Sequence, residues 1–274
     1  MKNLCSFLLL SLISIYAFSQ NHVLSLDGID DYVDFPQPII SRGQFTIEAW
    51  VYLAGAGGGI EDQSPIFEQR TDNTGCNNSA VSMFAESHSY ERVFRFGLRG
   101  DNECTGLVQH NAPAYGEWHH LAVVQDDAYS TLYMDGNLRS SVYYEHSGNY
   151  DTNIAHVSIG QATHDGANFG NTNGMMDEIR IWSTPRTVEE LQENMYQSVD
   201  ANDENLLAYW NFEDSNTQVL DQTDNSHVGT LRHGAQVIQA EYYVPPVLWG
   251  DLNEDGQVNV SDVVLLISHI LNTE

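Results

Sequence analysis

The stretch "QFTIEAWVYL", Gln44–Leu53, puts Phe45, Ile47, Ala49, Val51 and Leu53 on one side of an extended chain and Thr46, Glu48, Trp50 and Tyr52 on the other. Successive side chains of a strand point to opposite faces, so the pattern predicts a strand packed on one side and partly wet on the other. Runs of the same kind recur at "HVLSL", "DYVDF", "RVFRFGLR", "WHHLAVVQ", "STLYM", "LRSSVYY", "AHVSIG", "MMDEIRIW", "LLAYWNF" and "AQVIQAEYY". Asp135-Gly136, between "TLYM" and "NLRSS", is the signature of a tight hairpin turn. Thr187 followed three residues later by Glu190 marks the start of one helix over "VEELQENMY". A dozen short strands with one helix predict an all-β fold of two antiparallel sheets packed face to face.

The ends of the chain read differently. Lys2, the apolar run Leu4–Phe18 and the polar Ser19-Gln20-Asn21 have the three parts of a signal peptide at residues 1–20. The expectation is therefore a secreted or cell-surface protein of bacterial type, with no membrane span in the mature chain. At the other end the strand pattern covers residues 21–243 and stops at a stiff linker, residues 244–249, that contains Pro245-Pro246. Residues 250–274 form a separate tail.

The chain has 274 residues, and its ten basic residues, one of them Lys2, face 38 acids, for a formal charge of −28. Such a charge argues against nucleic acid or anionic lipid as a partner and suits bound cations. Beyond the signal segment two cysteines remain, Cys76 and Cys104, both in Gly/Asn-rich stretches. In an exported protein an even pair reads as one disulfide tying two loops, with two free thiols as the alternative.

The tail carries "GDLNEDGQVNVSD", Gly250–Asp262. Asp251, Asn253, Asp255, Asn259 and Asp262 supply side-chain oxygens at loop positions 1, 3, 5, 9 and 12. Gln257 offers its carbonyl at position 7, and Gly256 permits the bend at position 6. The pattern predicts a Ca²⁺ loop. The following "VVLLISHIL" is apolar nearly all round and predicts a helix that must be buried. A loop followed by a helix, with Pro245-Pro246 excluding a preceding one, resembles a single repeat of a type I dockerin. That resemblance implies a cohesin-like or other docking partner. Dockerins carry two such repeats, and no second copy is present; Val260 stands where a hydroxyl residue often helps recognition.

The order of the strand segments carries a second resemblance. "LSLDGIDDYVDFP" is followed by "FTIEAWVYL", by "EWHHLAVVQDDAYSTLYMDGNL", by "GMMDEIRIWSTPRTVEEL" and by "LLAYWNFED". Residues 22–240 thus resemble the LamG-like, concanavalin A-like jelly-roll family, which includes laminin G and pentraxin-type modules. The resemblance implies a jelly-roll sandwich and a structural Ca²⁺ held by Asp177 of "MDEIRIW" together with the opening Asp27-Gly28-Ile29-Asp30. The plainer alternative is that Asp27 shapes a turn and Asp177 pairs with an arginine.

Catalysis is not expected. Glycanases of this fold use two carboxylates about 5–5.5 Å apart for retention, supplied from one strand as E-x-D-x-E or E-x-D-x-x-E, and neither pattern occurs. His119 and His120 are strand neighbours that face opposite ways, so they cannot share a site, and one of them is expected to pack on Trp118. The expectation is a non-catalytic module for a carbohydrate or cell-surface ligand, with a polysaccharide hydrolase or its accessory subunit and a protein-binding adhesion module as alternatives. The loop "GQATHDGANFGNTNG" offers His164, Asp165, Asn168, Phe169 and Asn171, amide and carboxylate groups beside an aromatic face. Tyr143, Tyr144 and Tyr150 could add platforms, although such loops also serve as plain connectors.

Overall fold

A computed structural model of the chain describes residues 22–41, 43–59, 62–70, 80–87, 92–99, 107–143, 156–164, 167–213 and 218–240. The signal segment, Cys76, Cys104, the Pro245-Pro246 linker and the whole 250–274 tail lie outside the described residues.

In chain order the strands are β1 (His22–Asp27), β2 (Tyr32–Phe35), β3 (Phe45–Leu53), β4 (Ser64–Arg70), β5 (Ala80–Ser87) and β6 (Val93–Arg99). Next come β7 (Leu107–Asn111), β8 (Trp118–Gln125), β9 (Tyr129–Met134), β10 (Asn137–Tyr143), β11 (His156–Ile159), β12 (Gln161–His164) and β13 (Ala167–Asn171). The last are β14 (Asn173–Trp182), β15 (Leu206–Trp210), β16 (Gln218–Val219), β17 (Gly229–Arg232) and β18 (Gln236–Gln239). Helix α1 (Val188–Asn194) lies between β14 and β15. Two eight-stranded antiparallel sheets result, ordered β10-β9-β8-β3-β14-β1-β18 with β15 beside β14, and β16-β17-β2-β11-β4-β5-β6-β7. The fold is all-β, two antiparallel sheets consistent with a jelly-roll sandwich.

The core lies between the sheets. Phe45, Ile47, Ala49, Val51 and Leu53 of β3 meet Phe67, Met83, Phe94 and Phe96 of the second sheet in one buried cluster. Each fully buried side chain of this size contributes about 1.5–3 kcal/mol relative to exposure.

Strand β14 departs from simple alternation. Met176, Ile179 and Ile181 all enter the core, a three-residue step followed by a two-residue step. The pairing with β3 shifts between Asp177 and Arg180, and Glu178 takes φ 50°. This bulge resets the phase of the strand and bends it. One edge of β14 therefore pairs β1 along Asn173–Met176 and β15 along Ile179–Trp182.

The outer face of β3 is not wet, contrary to its sequence pattern. Thr46, Glu48 and Trp50 are at most 1% exposed. The segment leading into helix α1, the helix and the turn after it cover them, held from below by polar groups of the sheet, beginning with Thr46 Oγ1, which donates to the Thr184 carbonyl at 2.9 Å. Trp50 Nε1 donates to the Met195 carbonyl at 2.7 Å, and Arg180 donates from Nη1 to Asn194 O at 2.8 Å and from Nη2 to Gln197 O at 2.7 Å. The last carbonyls of a helix have no intrahelical donor, so a buried guanidinium there satisfies them and opposes the negative end of the dipole. At the helix start, Thr187 and Glu190 form the expected capping box.

Candidate functional site

Loops joining β1–β2, β3–β4 and β17–β18 meet at one end of the sandwich, beside the base of the β12–β13 hairpin, where Gly58 N donates to the Asn171 carbonyl at 2.8 Å. In the first, Asp27 Oδ1 accepts from the Ile29 N–H at 2.8 Å and Gly28 adopts φ 77°, which folds the chain back at once. Asp31 locks the turn: its Oδ2 accepts from Asp27 N at 3.0 Å and its Oδ1 from Gly234 N at 2.6 Å. Ligand oxygens of Asp27, Asp30 and Asp31 lie within 4.8 Å of one another. His233 Nδ1 stands 3.3 Å from Asp30 Oδ2. Burial is the largest influence on Asp31 and raises its carboxyl above the ordinary value; the Asp27 and Asp30 charges add to the rise, while the two backbone donors oppose it.

Three hard oxygen donors converging in an electronegative turn match what Ca²⁺ takes, about six to eight oxygens at 2.3–2.6 Å. The backbone is less forthcoming than the sequence suggests. The Ile29 carbonyl already accepts from Asn171 Nδ2 at 2.6 Å, and a Cβ on Gly58 would stand 1.9 Å from the Gly28 carbonyl. Such an ion would be held chiefly by the carboxylates of Asp27, Asp30 and Asp31, completed by water.

Asp177 is not part of this group. Asp27 pairs with Asn173, so Asp177 lies four residues along β14, about 13 Å away at strand spacing. It is fully buried at the bulge, where its Oδ1 accepts from the Glu178 N–H at 2.8 Å.

The β12–β13 hairpin sits beside the acidic turn. Asn171 is fully buried and both ends of its amide are engaged, Nδ2 with Ile29 and Oδ1 with Gln161 Nε2 at 3.1 Å. It ties the hairpin to the turn. Asn168 and Phe169 are half-buried, and Asn168 Oδ1 has no hydrogen-bond partner among the described residues. His164 ends β12 opposite Ala167, and Asp165 lies outside the described residues. The calcium-loop residues Asp251, Asn253, Asp255, Gln257, Asn259 and Asp262 also lie outside them, as do Tyr144 and Tyr150. Tyr143 is exposed and packs edge-on against Tyr129, with ring centroids 5.5 Å apart.

Sequence reasoning missed a third carboxylate and a neighbouring cluster. Asp31 was legible as the second acid of "DDY". Glu86, Arg92 and Tyr115 come from separate segments: Tyr115 Oη donates to Glu86 at 2.8 Å, and the Arg92 guanidinium lies 3.6 Å above the tyrosine ring. The adjacent histidines part as expected, His119 toward Asp135 at 2.9 Å and His120 toward Glu48 at 3.1 Å. Neither partner is Trp118: His120 packs on Trp50 with centroids 5.5 Å apart, and Trp118 packs on Tyr52.

Known structures share this architecture. A candidate carbohydrate-binding protein from Bacteroides ovatus superimposes with a TM-score of 0.61 at 18% identity, covering 82% of this chain. This chain spans 61% of that protein's length. A heptameric SAP-like pentraxin from Limulus polyphemus gives a TM-score of 0.54 at 16% identity, covering 81% of this chain and 96% of the pentraxin. At these identities the likeness establishes the fold. No protein of curated function matches the sequence. Residues 27–192 match the Laminin_G_3 family, and the chain therefore belongs to the concanavalin A-like lectin/glucanases superfamily.

Proposed function

We propose that the protein is an exported, non-catalytic carbohydrate-binding module whose acidic rim is organised by Ca²⁺. The observation that carries this reading is the meeting of Asp27, Asp30 and Asp31 at one turn, tied through Asn171 to a hairpin that presents Asn168 and Phe169. A cation there would neutralise the clustered carboxylates and stiffen the hairpin, and a half-buried aromatic ring among polar side chains suits a sugar ring with its hydroxyls. The family and the Bacteroides ovatus likeness support a carbohydrate ligand.

In the same reading the 250–274 tail is a second Ca²⁺ site, a dockerin-like loop and helix that seeks a cohesin-like or other docking surface. Titrating Ca²⁺ into the full chain and into a chain ending at residue 249 tests this part; a calcium-dependent gain in helical signal only in the full chain supports it.

A glycan array probed in Ca²⁺ and in chelator, followed by product analysis on the best-retained glycan, tests the main reading. Calcium-dependent retention without turnover supports it. Turnover would move the protein into the hydrolase class, and retention of no glycan would favour a protein-binding adhesion module.

A further inference from the structure

Helix α1 and its flanks cover the outer face of the first sheet only in part. One row beyond Trp50, register partners line up across five adjacent strands: Gln236 on β18, Ser25 on β1, Met175 on β14, Tyr52 on β3 and Trp118 on β8. Their chain neighbours Val237, Leu24, Leu26, Met176, Val51 and Leu53 face the core, so the row points outward. Gln236 is exposed and the other four are half-buried. At about 4.8 Å per strand the row is about 19 Å long.

Both sides of the row are bounded. On one side the turn after α1 roofs Trp50, accepting its indole N–H at Met195 O and setting the Tyr196 ring against it with centroids 5.7 Å apart. On the other side stand the exposed Asp27 and Ala54 with Asn173 between them: Asn173 pairs Asp27, and its carbonyl accepts from Ala54 N at 2.9 Å. The result is an open groove that borders the acidic turn. The β12–β13 hairpin lies elsewhere, over β4 of the second sheet, where Glu68 accepts from Thr163 N at 2.9 Å.

The row itself carries no charge, in a chain of formal charge −28. At one end Tyr52 and Trp118 pack with ring centroids 5.7 Å apart and planes inclined by 49°. Ser25, Gln236 and Asn173 supply a hydroxyl and two carboxamides, and these side chains make no hydrogen bond among the described residues.

We infer that this groove binds one chain of a neutral polysaccharide laid across the strands, with Tyr52, Trp118 and Met175 against the C–H faces of its rings and Ser25, Asn173 and Gln236 taking its hydroxyls. Aromatic rings with polar edges, beside a few uncommitted polar groups, match a ligand whose surface is apolar on its faces and hydroxylated around them. An extended peptide gains its affinity from an open strand edge, whereas β1, β14, β3 and β8 are paired on both sides. An acidic polysaccharide would meet the exposed carboxylates of Asp27 and Glu117 that border the row, and a second copy of this chain would set them against their counterparts. The ligand class rests on the carbohydrate-binding reading above, but the position does not, and the groove needs no cation.

The test is tryptophan fluorescence of the full chain, kept in chelator so that the acidic turn is cation-free, titrated with soluble xyloglucan, arabinoxylan, galactomannan and laminarin, and with polygalacturonate as the acidic control. Trp50, Trp182 and Trp210 are at most 2% exposed, so Trp118 is the described tryptophan that a ligand can reach. A saturable change is expected with at least one neutral polymer and not with polygalacturonate, and Trp118→Phe should remove it. By calorimetry, Tyr52→Ala and Ser25→Glu, the second setting a carboxylate in the middle of the row, should each weaken binding about tenfold or more. Gln236→Ala, at an exposed position that leaves the fold intact, should weaken it at least twofold. No saturable change with any neutral polymer overturns the inference, as does binding that persists undiminished in all these variants. Binding that appears only in Ca²⁺, is lost in Asp30→Asn and is kept in the groove variants would overturn it while supporting the rim reading.

Discussion

Trp182 donates its indole N–H to Glu48 Oε1 at 2.7 Å, and neither residue is more than 2% exposed. The carboxylate also stands 3.1 Å from His120 Nε2 and 3.8 Å from Arg180 Nη1. Arg180 in turn reaches Glu178, whose carboxylate accepts from Tyr209 Oη at 2.7 Å. This network joins β3, β8, β14 and β15 beneath helix α1, and it is a structural clamp rather than a ligand site. Burial works against the charge on Glu48, but His120, Arg180 and Trp182 outweigh it and hold the carboxyl down at about 2.

Glu48→Gln keeps the shape and an acceptor for Trp182 but removes the charge that Arg180 and His120 face. Breaking a buried pair on one side costs about 3–5 kcal/mol. Urea unfolding followed by tryptophan fluorescence should show that loss at neutral pH; a change below about 1 kcal/mol would mean the clamp contributes little.

The pH dependence has two parts of opposite sign. The folded pKa of Glu48 is depressed from 4.5 to about 2, so its contribution is complete above 4.5 and is lost as the pH falls toward 2. The Asp31 pKa is raised above 3.8, so its ionised form costs stability at neutral pH, and that cost disappears on acidification. A calcium ion held at this turn would offset the Asp31 cost only while the carboxylates are charged. The calcium-dependent rise in Tm should therefore be largest near neutral pH and vanish as the acidic turn protonates, whereas the acid loss from Glu48 should be the same with and without calcium. Melting curves across that range in Ca²⁺ and in chelator check both.

Gly58→Ala would place a methyl group 1.9 Å from the Gly28 carbonyl and push the acidic turn outward. The expected loss is about 1–3 kcal/mol, as for other overpacking changes, together with weaker calcium binding. Gly97→Ala is the control, because a Cβ there meets nothing within 4 Å. It should stay within about 0.5 kcal/mol of the parent in the same thermal assay.

Thr187→Ala removes one half of the capping box on α1 and should cost about 1 kcal/mol. For a domain of this size that is a drop in Tm of about 2–4 °C, measurable by calorimetry.

Much of the sandwich was legible because its strands pack one face against the core. The sequences of β3 and β9 alternate, and Asp135 and Gly136 take the positive φ values, 52° and 67°, that a tight hairpin requires. β4 was not legible, since "SPIFEQR" is buried on both faces and shows no period of two. The register of β14 was hidden by the bulge at Glu178, which no alternation rule anticipates. The outer face of β3 was misjudged because its cover, α1, lies some 140 positions further along the chain, and a Glu–Arg–Trp surface reads as solvent-facing until that cover is in place.

At the site, the spacing of Asp27 and Asp30 was visible in "DGIDD", and Asp31 was there to be read. The separation of Asp177 from them follows from strand register, which only the folded sheet supplies. Asn171 looked like a loop residue open to ligand, yet its neighbours on three separate segments close over it.

The most direct measurement is calorimetric titration of the best array glycan into the parent and into Asp30→Asn, each in Ca²⁺ and after chelator stripping. Asp30 is exposed, and among the described residues its only ion-pair partner is His233 at 3.3 Å, so the variant should fold. The account predicts saturable binding by the parent in Ca²⁺ that weakens at least tenfold, about 1.4 kcal/mol, on stripping or on substitution. Equal affinity in all four titrations would contradict it.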